Sequence, residues 1–199
     1  NESTTVSYKA LRRDIKDVDG ADISDPTIIS YLDVFRRLFV IDDQLPFSPN
    51  VRSSVRVKQM PKHHLADSSL AAALLGLNAE GLMGDLHTMG FLFESLCEHD
   101  LCIYAESFGG KLFHYQDYQE KEIDAVVEAP GGEWGGFEIK LGANQRDAAA
   151  KSLLAIRQSI AKDKKGRMPK FLCVLCGLSN AAYKRPDGVW VVPITSLRS

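Results

Sequence analysis

Apolar positions along the chain follow helical spacing first. Tyr8, Leu11, Ile15 and Val18 mark one helix, and Asp19-Gly20 marks the turn that ends it. Asp25-Pro26 then reads as an N-cap followed by proline at the first helical position. It opens a second helix to about Leu38 that buries Ile28, Ile29, Leu32 and Phe35. LFVI is a short strand candidate, with VRSSVRVK returning after residue 50. Past Pro61 the spacing predicts a short apolar helix from Leu65 to Leu77 and a long one from about Leu82 to Phe108, with Leu86, Met89, Phe93 and Leu96 as its buried stripe. Glu94 borders that stripe, where a carboxylate needs a partner, although a solvated helix-face Glu fits the same spacing. KLFHYQD reads as a strand, followed by a hairpin and a helix capped at Asn144, with Ala149, Leu153, Ile156 and Ile160 inward. KFLCVLCGL and GVWVVPI close the chain as strands. The order from Leu82 onward is α-β-β-β-α-β-β.

The hairpin, KEIDAVVEAPGGEWGGFEIKL over 121–141, carries the most chemistry. Phe137, Ile139 and Leu141 alternate with Glu138 and Lys140, so a carboxylate and an ammonium share one face about 7 Å apart. Register decides whether Asp124 joins them, because a slip of one residue reverses a strand's faces. A loop of Pro130, Gly131 and Gly132 closed by Ala129 and Glu133 sets Asp124 opposite Glu138, and three-residue loops with Gly at the left-handed position are common. A two-residue loop separates the carboxylates, and an ordinary surface hairpin with a solvated polar face has the same alternation.

At 199 residues the chain can bury a full core, and the reading is two units, 1–60 and 61–199. The first has two short helices, a turn and strands, the order of a winged helix-turn-helix. On its return strand Arg52, Arg56 and Lys58 share a face, as a basic wing over phosphates needs, and as a merely solvated strand face also has. The net charge of −2 excludes a global basic field, so any nucleic-acid surface is a local patch. Such a patch is offered by Lys162, Lys164, Lys165, Arg167 and Lys170, although solvated basic loops are common.

Cys173 and Cys176 form a C-x-x-C inside an apolar strand with no second pair nearby, and with Cys97 and Cys102 they read as small core residues. The histidines lack zinc spacing, and there is no P-loop motif. LAAALLGL is the longest apolar-and-small run, too short to span a bilayer. With no signal-peptide pattern, the expectation is a cytoplasmic protein without membrane partners. The chain opens at Asn1 rather than Met, which leads to the expectation of a missing upstream part.

Glu on a first helix, Asp on a second strand and Glu-x-Lys on a third strand followed by a helix resembles the layout of the PD-(D/E)XK nuclease superfamily. The residues are Glu94, Asp124, Glu138 and Lys140. Ile123 stands where the superfamily's name has proline. GFLFESL, EIDAVV and GGFEIKLGANQ are similar to the C-terminal domain of unknown function attached to bacterial and archaeal AAA-type ATPases, and DPTIISYLDVFRRLFVIDD to the winged-helix-like piece that links the two parts. The resemblance implies an α/β, restriction-endonuclease-like mixed sheet flanked by helices, preceded by a small winged-helix-like domain, with the ATPase upstream. It implies a divalent-metal-dependent nuclease acting on DNA. Asp124 and Glu138 would hold Mg²⁺ or Mn²⁺, Lys140 would orient the attacking water, Glu94 would complete the site, and Gln145 would contact water or phosphate. A non-enzymatic module that binds nucleic acid or protein and regulates the ATPase is the competing reading.

Overall fold

The computed structural model describes residues 7–50 and 59–197. Helix α1 (Tyr8–Asp19) starts at Ser7, whose hydroxyl accepts from the Ala10 N–H, and ends at Gly20 in the left-handed conformation that glycine adopts without a Cβ clash. In α2 (Asp25–Arg37) the cap is Ser24 rather than Asp25: its hydroxyl accepts from the Thr27 N–H, so Pro26 occupies the second helical position. The strand expected over LFVI starts later. Phe39 takes φ +55° in the turn that closes α2, and β1 runs over Ile41–Pro46.

The segment expected to be helical from Leu65 divides instead into β2 (Lys62–Leu65) and α3 (Ser68–Leu74), which Asp67 caps by accepting the Ser69 N–H. The long helix expected from Leu82 is also two pieces, α4 (Ala79–Gly84) and α5 (Leu86–Ser107). Asp85 ends the first and caps the second through the Thr88 N–H. The inward stripe of α5 is Leu92, Ser95, Cys97, Glu98, Leu101 and Ala105, whereas Leu86 and Leu96 of the expected stripe are exposed. A helix can turn a glutamate inward only where a cation compensates it, and β2 supplies Lys62 at that edge. Then follow β3 (Lys111–Gln116), β4 (Glu122–Glu128), β5 (Trp134–Lys140), a single 3₁₀ turn over Ala143–Gln145, α6 (Arg146–Lys162), β6 (Phe171–Cys176), β7 (Tyr183–Lys184) and β8 (Trp190–Pro193).

The strands make one eight-stranded mixed sheet among the described residues, in the order β2-β1-β3-β4-β5-β6-β8-β7. The β3-β4-β5 meander is antiparallel, and β5-β6-β8 run parallel through the α6 crossover. Residues of β6 alternate between two cores. Leu172, Val174 and Cys176 face α6, where Ala149, Leu153, Ile156 and Ile160 are buried as their spacing predicts. Cys173 and Leu175 pack with Cys97 and Leu101 of α5 on the other side. Both faces are covered, which is why KFLCVLC is apolar almost throughout.

The sheet crosses the division expected at residue 60. β1 pairs with β2 and, in parallel, with β3, and the fully buried Phe47 packs on Phe113 and Trp134, so this strand belongs to the main sheet. Arg52, Arg56 and Lys58 of the expected wing lie outside the described residues. No helix among the described residues is long and apolar enough to cross a membrane.

Candidate active site

The hairpin closes as its loop residues require. The Ala129 N–H donates to the Glu133 carbonyl, the Gly132 N–H to the Ala129 carbonyl, and Gly132 takes φ +81°. The register is Glu128↔Trp134, Val127↔Gly135, Val126↔Gly136 and Ala125↔Phe137, which brings Asp124 beside Glu138. On its other side β4 is irregular. Phe113 pairs with Val126 and Tyr115 with Ile123, so Asp124 and Ala125 together oppose His114 alone. This β-bulge re-aims the Asp124 side chain. Its carboxylate, rather than a backbone carbonyl, accepts the Ile139 N–H at 2.7 Å.

Lys140 Nζ bridges the two acids, 3.3 Å from Asp124 Oδ2 and 3.0 Å from Glu138 Oε1. Burial works against the Lys140 ammonium, but Asp124, Glu138 and Glu94 outweigh it and hold its pKa above the ordinary lysine value. Glu138 is pushed up to about 8, by burial first and by the Asp124 charge second. Its Oε2 is buried without a hydrogen-bond partner. Glu94 of α5 is pushed up to about 7 by the same two causes, with Lys62 and Lys140 offsetting part of the effect. Three carboxylates therefore converge on one region with too few cations for all to ionise easily.

Glu94 itself pairs with Lys62 Nζ at 3.4 Å, and the same nitrogen lies 3.9 Å from Glu98 Oε1. Burial lowers the Lys62 pKa, but Glu98, Glu94 and Asp124 together bring it above the usual value. His64, two residues on along the inward face of β2, sets Nδ1 3.0 Å from Glu98 Oε2. Its Nε2 lies 3.2 Å from the Gln44 side-chain oxygen, and the Gln44 amide donates to the Phe113 and Asp124 carbonyls. A buried polar chain thus runs from β1 to the bulge. Among the described residues no group of three or more His, Cys, Asp and Glu stands close enough to hold a metal ion. At the hairpin the acidic donors are the pair Asp124 and Glu138.

Residues 89–197 match a family described as a domain of unknown function, DUF4143. The chain belongs to the DUF4143 family. Residues 1–81 match a second domain of unknown function, DUF8612. No curated protein and no solved structure matches the chain. The DUF4143 segment holds Glu94, Asp124, Glu138 and Lys140, whereas Gln44, Lys62 and His64 come from the DUF8612 segment.

Outside the acidic pair, a groove of about 460 Å³ is lined by Glu94, Lys140, Gly142, Gln145 and, from the first two turns of α5, His87 and Phe91. Gln145 lines this groove, and its Oε1 accepts the Gly142 N–H. That contact supplies the helix start expected from Asn144. Arg146 turns away, its Nε donating to the Ala143 carbonyl at 2.6 Å. Spacing alone missed Lys62, His64, Glu98 and His87. The signal for the first two was the alternation in KHHL, which a helix placed from Leu65 obscured. The four thiols are free, with Cys97, Cys173 and Cys176 buried as core residues.

Proposed function

We propose that this chain is a divalent-metal-dependent nuclease domain of restriction-endonuclease-like type, cutting DNA phosphodiesters as the C-terminal part of an AAA-type ATPase. The observation that carries the reading is the Asp124–Lys140–Glu138 bridge beside Glu94, built where β4 bulges in its pairing with β3. The order α5-β3-β4-β5-α6-β6 and the parallel β5-β6 pair support the fold assignment. Membership of DUF4143 supports the ATPase association. A winged-helix role for α1, α2 and the basic residues Arg52, Arg56 and Lys58 is part of the same reading.

Mg²⁺ or Mn²⁺ fits the donor set. Two carboxylates offer hard oxygens, Mg²⁺ is commonly held by one or two carboxylates and waters, and Glu138 Oε2 is a buried acceptor in need of a partner. When bound, the ion supplies charge neutralisation and an acidified water. Asp124 and Glu138 would hold it. Lys140, kept protonated by its acidic neighbours, donates to the attacking water or to a phosphate oxygen and stabilises the charge that develops there. Gln145, at the groove, keeps its amide N–H groups available to orient phosphate.

One observation favours a second reading, a silent binding module that regulates the ATPase: Lys140 already spans both carboxylates, as a purely structural ion pair does. A cleavage assay with Mg²⁺ or Mn²⁺ on duplex, single-stranded and branched DNA and on RNA separates the two. We expect cutting that needs the metal and falls by about 10²-fold or more in both Asp124→Asn and Lys140→Ala. Cutting that survives both substitutions refutes the site assignment. No cutting of any substrate, with the ATPase supplied, supports the silent module.

A further inference from the structure

We propose that the groove beside Lys140 is a stacking slot for a base of single-stranded nucleic acid, so that the chain engages unpaired strands in preference to duplex. This rests on the nucleic-acid part of the reading above and names its substrate class.

One wall of the groove is α5. His87, Gly90, Phe91 and Glu94 follow one another at three- and four-residue spacing, which lines them along one helix face from the helix start to the acidic site. Phe91 is 37% exposed, and the His87 ring meets it edge to face with the ring centres 4.8 Å apart. That contact restricts both rings before any ligand arrives, which lowers the ordering cost of stacking on them. From outside α5 the lining adds Leu141 and Leu178, both apolar, and Gln145. The Leu178 N–H donates to the Leu141 carbonyl at 3.0 Å, so the segments that follow β5 and β6 are tied together here.

Gly90 keeps the groove open. A glycine inside a helix is unfavourable, and close packing or a positive φ is the usual reason for one. Gly90 has neither: a Cβ at this position meets nothing within 4 Å, and its φ is not positive. Gly177, by contrast, packs closely on Leu141 and Phe93. A side chain at position 90 would fill the groove itself.

The chemistry of the lining selects the occupant. At about 460 Å³ the groove falls within the roughly 300–1,000 Å³ of small-ligand pockets, room for a base and its sugar. Aromatic and aliphatic walls suit the π-face of a base, and the Gln145 amide suits its edge or the adjoining phosphate. In a duplex those faces are covered by neighbouring bases, so an unpaired strand is what can offer one. Among the described lining residues Lys140 is the one lysine or arginine, and Glu94 shares the lining with it. Attraction for phosphates alone is therefore weak, and stacking carries the affinity. Lys140 also joins the groove to Asp124 and Glu138, so a base seated here brings the phosphate next to it toward the acidic pair.

The test is fluorescence anisotropy with labelled oligonucleotides of one length: single-stranded DNA, single-stranded RNA, duplex DNA and an abasic single strand. It is read on the full chain carrying Asp124→Asn with Mg²⁺ and on the wild type in EDTA, so that the strands stay intact. We expect a single strand, of DNA or of RNA, to bind about tenfold or more tighter than the duplex or the abasic strand. Gly90→Leu, which fills the slot and favours the helix, and Phe91→Ala should each remove that preference while keeping the urea midpoint of a folded chain. Equal affinity for single strand, duplex and abasic strand overturns the proposal without any variant, so it stays decidable if one of them unfolds. A preference that survives both substitutions in folded protein overturns it too. Metal-dependent cutting alongside equal affinities fails this proposal and leaves the nuclease reading standing. Groove-dependent binding of single strands without cutting supports this proposal and fails the nuclease reading.

Discussion

Replacing Asp124 separates what its carboxylate does for the fold from what it does for chemistry. Asp124 Oδ2 accepts the Ile139 N–H at 2.7 Å, just past Ala125↔Phe137 where the β4–β5 pairing ends, and so takes the place of the backbone partner that a continued antiparallel ladder supplies. Ile139 is 3% exposed, so water does not replace a lost acceptor. Asp124→Ala leaves that donor buried and unpaired, at a cost of about 1–3 kcal/mol. Asp124→Asn keeps an oxygen acceptor in the same place and removes only the charge. The charge loss relieves Glu138 and Glu94, both of which Asp124 pushes up, while it removes one partner of Lys140. These two effects oppose each other, and the Asn variant should stay within about 1 kcal/mol of wild type. Urea unfolding followed by tryptophan fluorescence reads the difference, because Trp134 is buried against Phe47 and reports loss of the core. Alanine and asparagine variants of equal stability would refute the claim that the carboxylate completes the broken ladder.

Arg167 ties three segments together: it pairs with Glu128, its backbone N–H donates to the Pro49 carbonyl at 3.0 Å, and its guanidinium lies 5.6 Å from the Phe47 ring centre. Arg167→Ala should cost about 1–3 kcal/mol, since the pair is partly buried, and should speed proteolysis between residues 163 and 168; an unchanged cleavage rate would argue against the clasp. His114 is buried and its Nε2 has no hydrogen-bond partner, so burial, with Lys62 adding to it, drops its pKa to about 4. The folded-state value lies below the unfolded one. The stability it contributes is therefore present above about pH 6.5 and is lost toward pH 4, by about 1.4 kcal/mol per pH unit. His114→Phe should flatten the fall in urea midpoint between pH 7 and 5, and an equally steep fall in the variant would place the titration elsewhere.

Much of this arrangement is legible in the sequence. The Pro-Gly-Gly loop fixes the hairpin register because Gly132 alone supplies the positive φ that a three-residue turn needs, and the register sets Asp124 beside Glu138. The α6 spacing likewise determines its buried face. Helix ends were harder. Ser24 takes the cap from Asp25, and Asp85 breaks a run whose apolar period continues across it, because a side-chain acceptor one residue away competes for the same N–H groups.

What the sequence determined by itself is local: the alternation that puts Glu138 and Lys140 on one face, the turn that returns the chain, and the apolar faces of α6 and β6. What only the tertiary structure decided is which distant groups share a volume. A bulge shows as a mismatch between two strands' registers, and neither strand reveals it alone. Lys62 carries no sign of its role in the run KHHL. It becomes a buried counter-ion for Glu94 and Glu98 because β1 joins the main sheet and carries β2 to the edge of α5. Charge compensation acts across space over a few ångströms, and the pattern of residues along the chain does not record it.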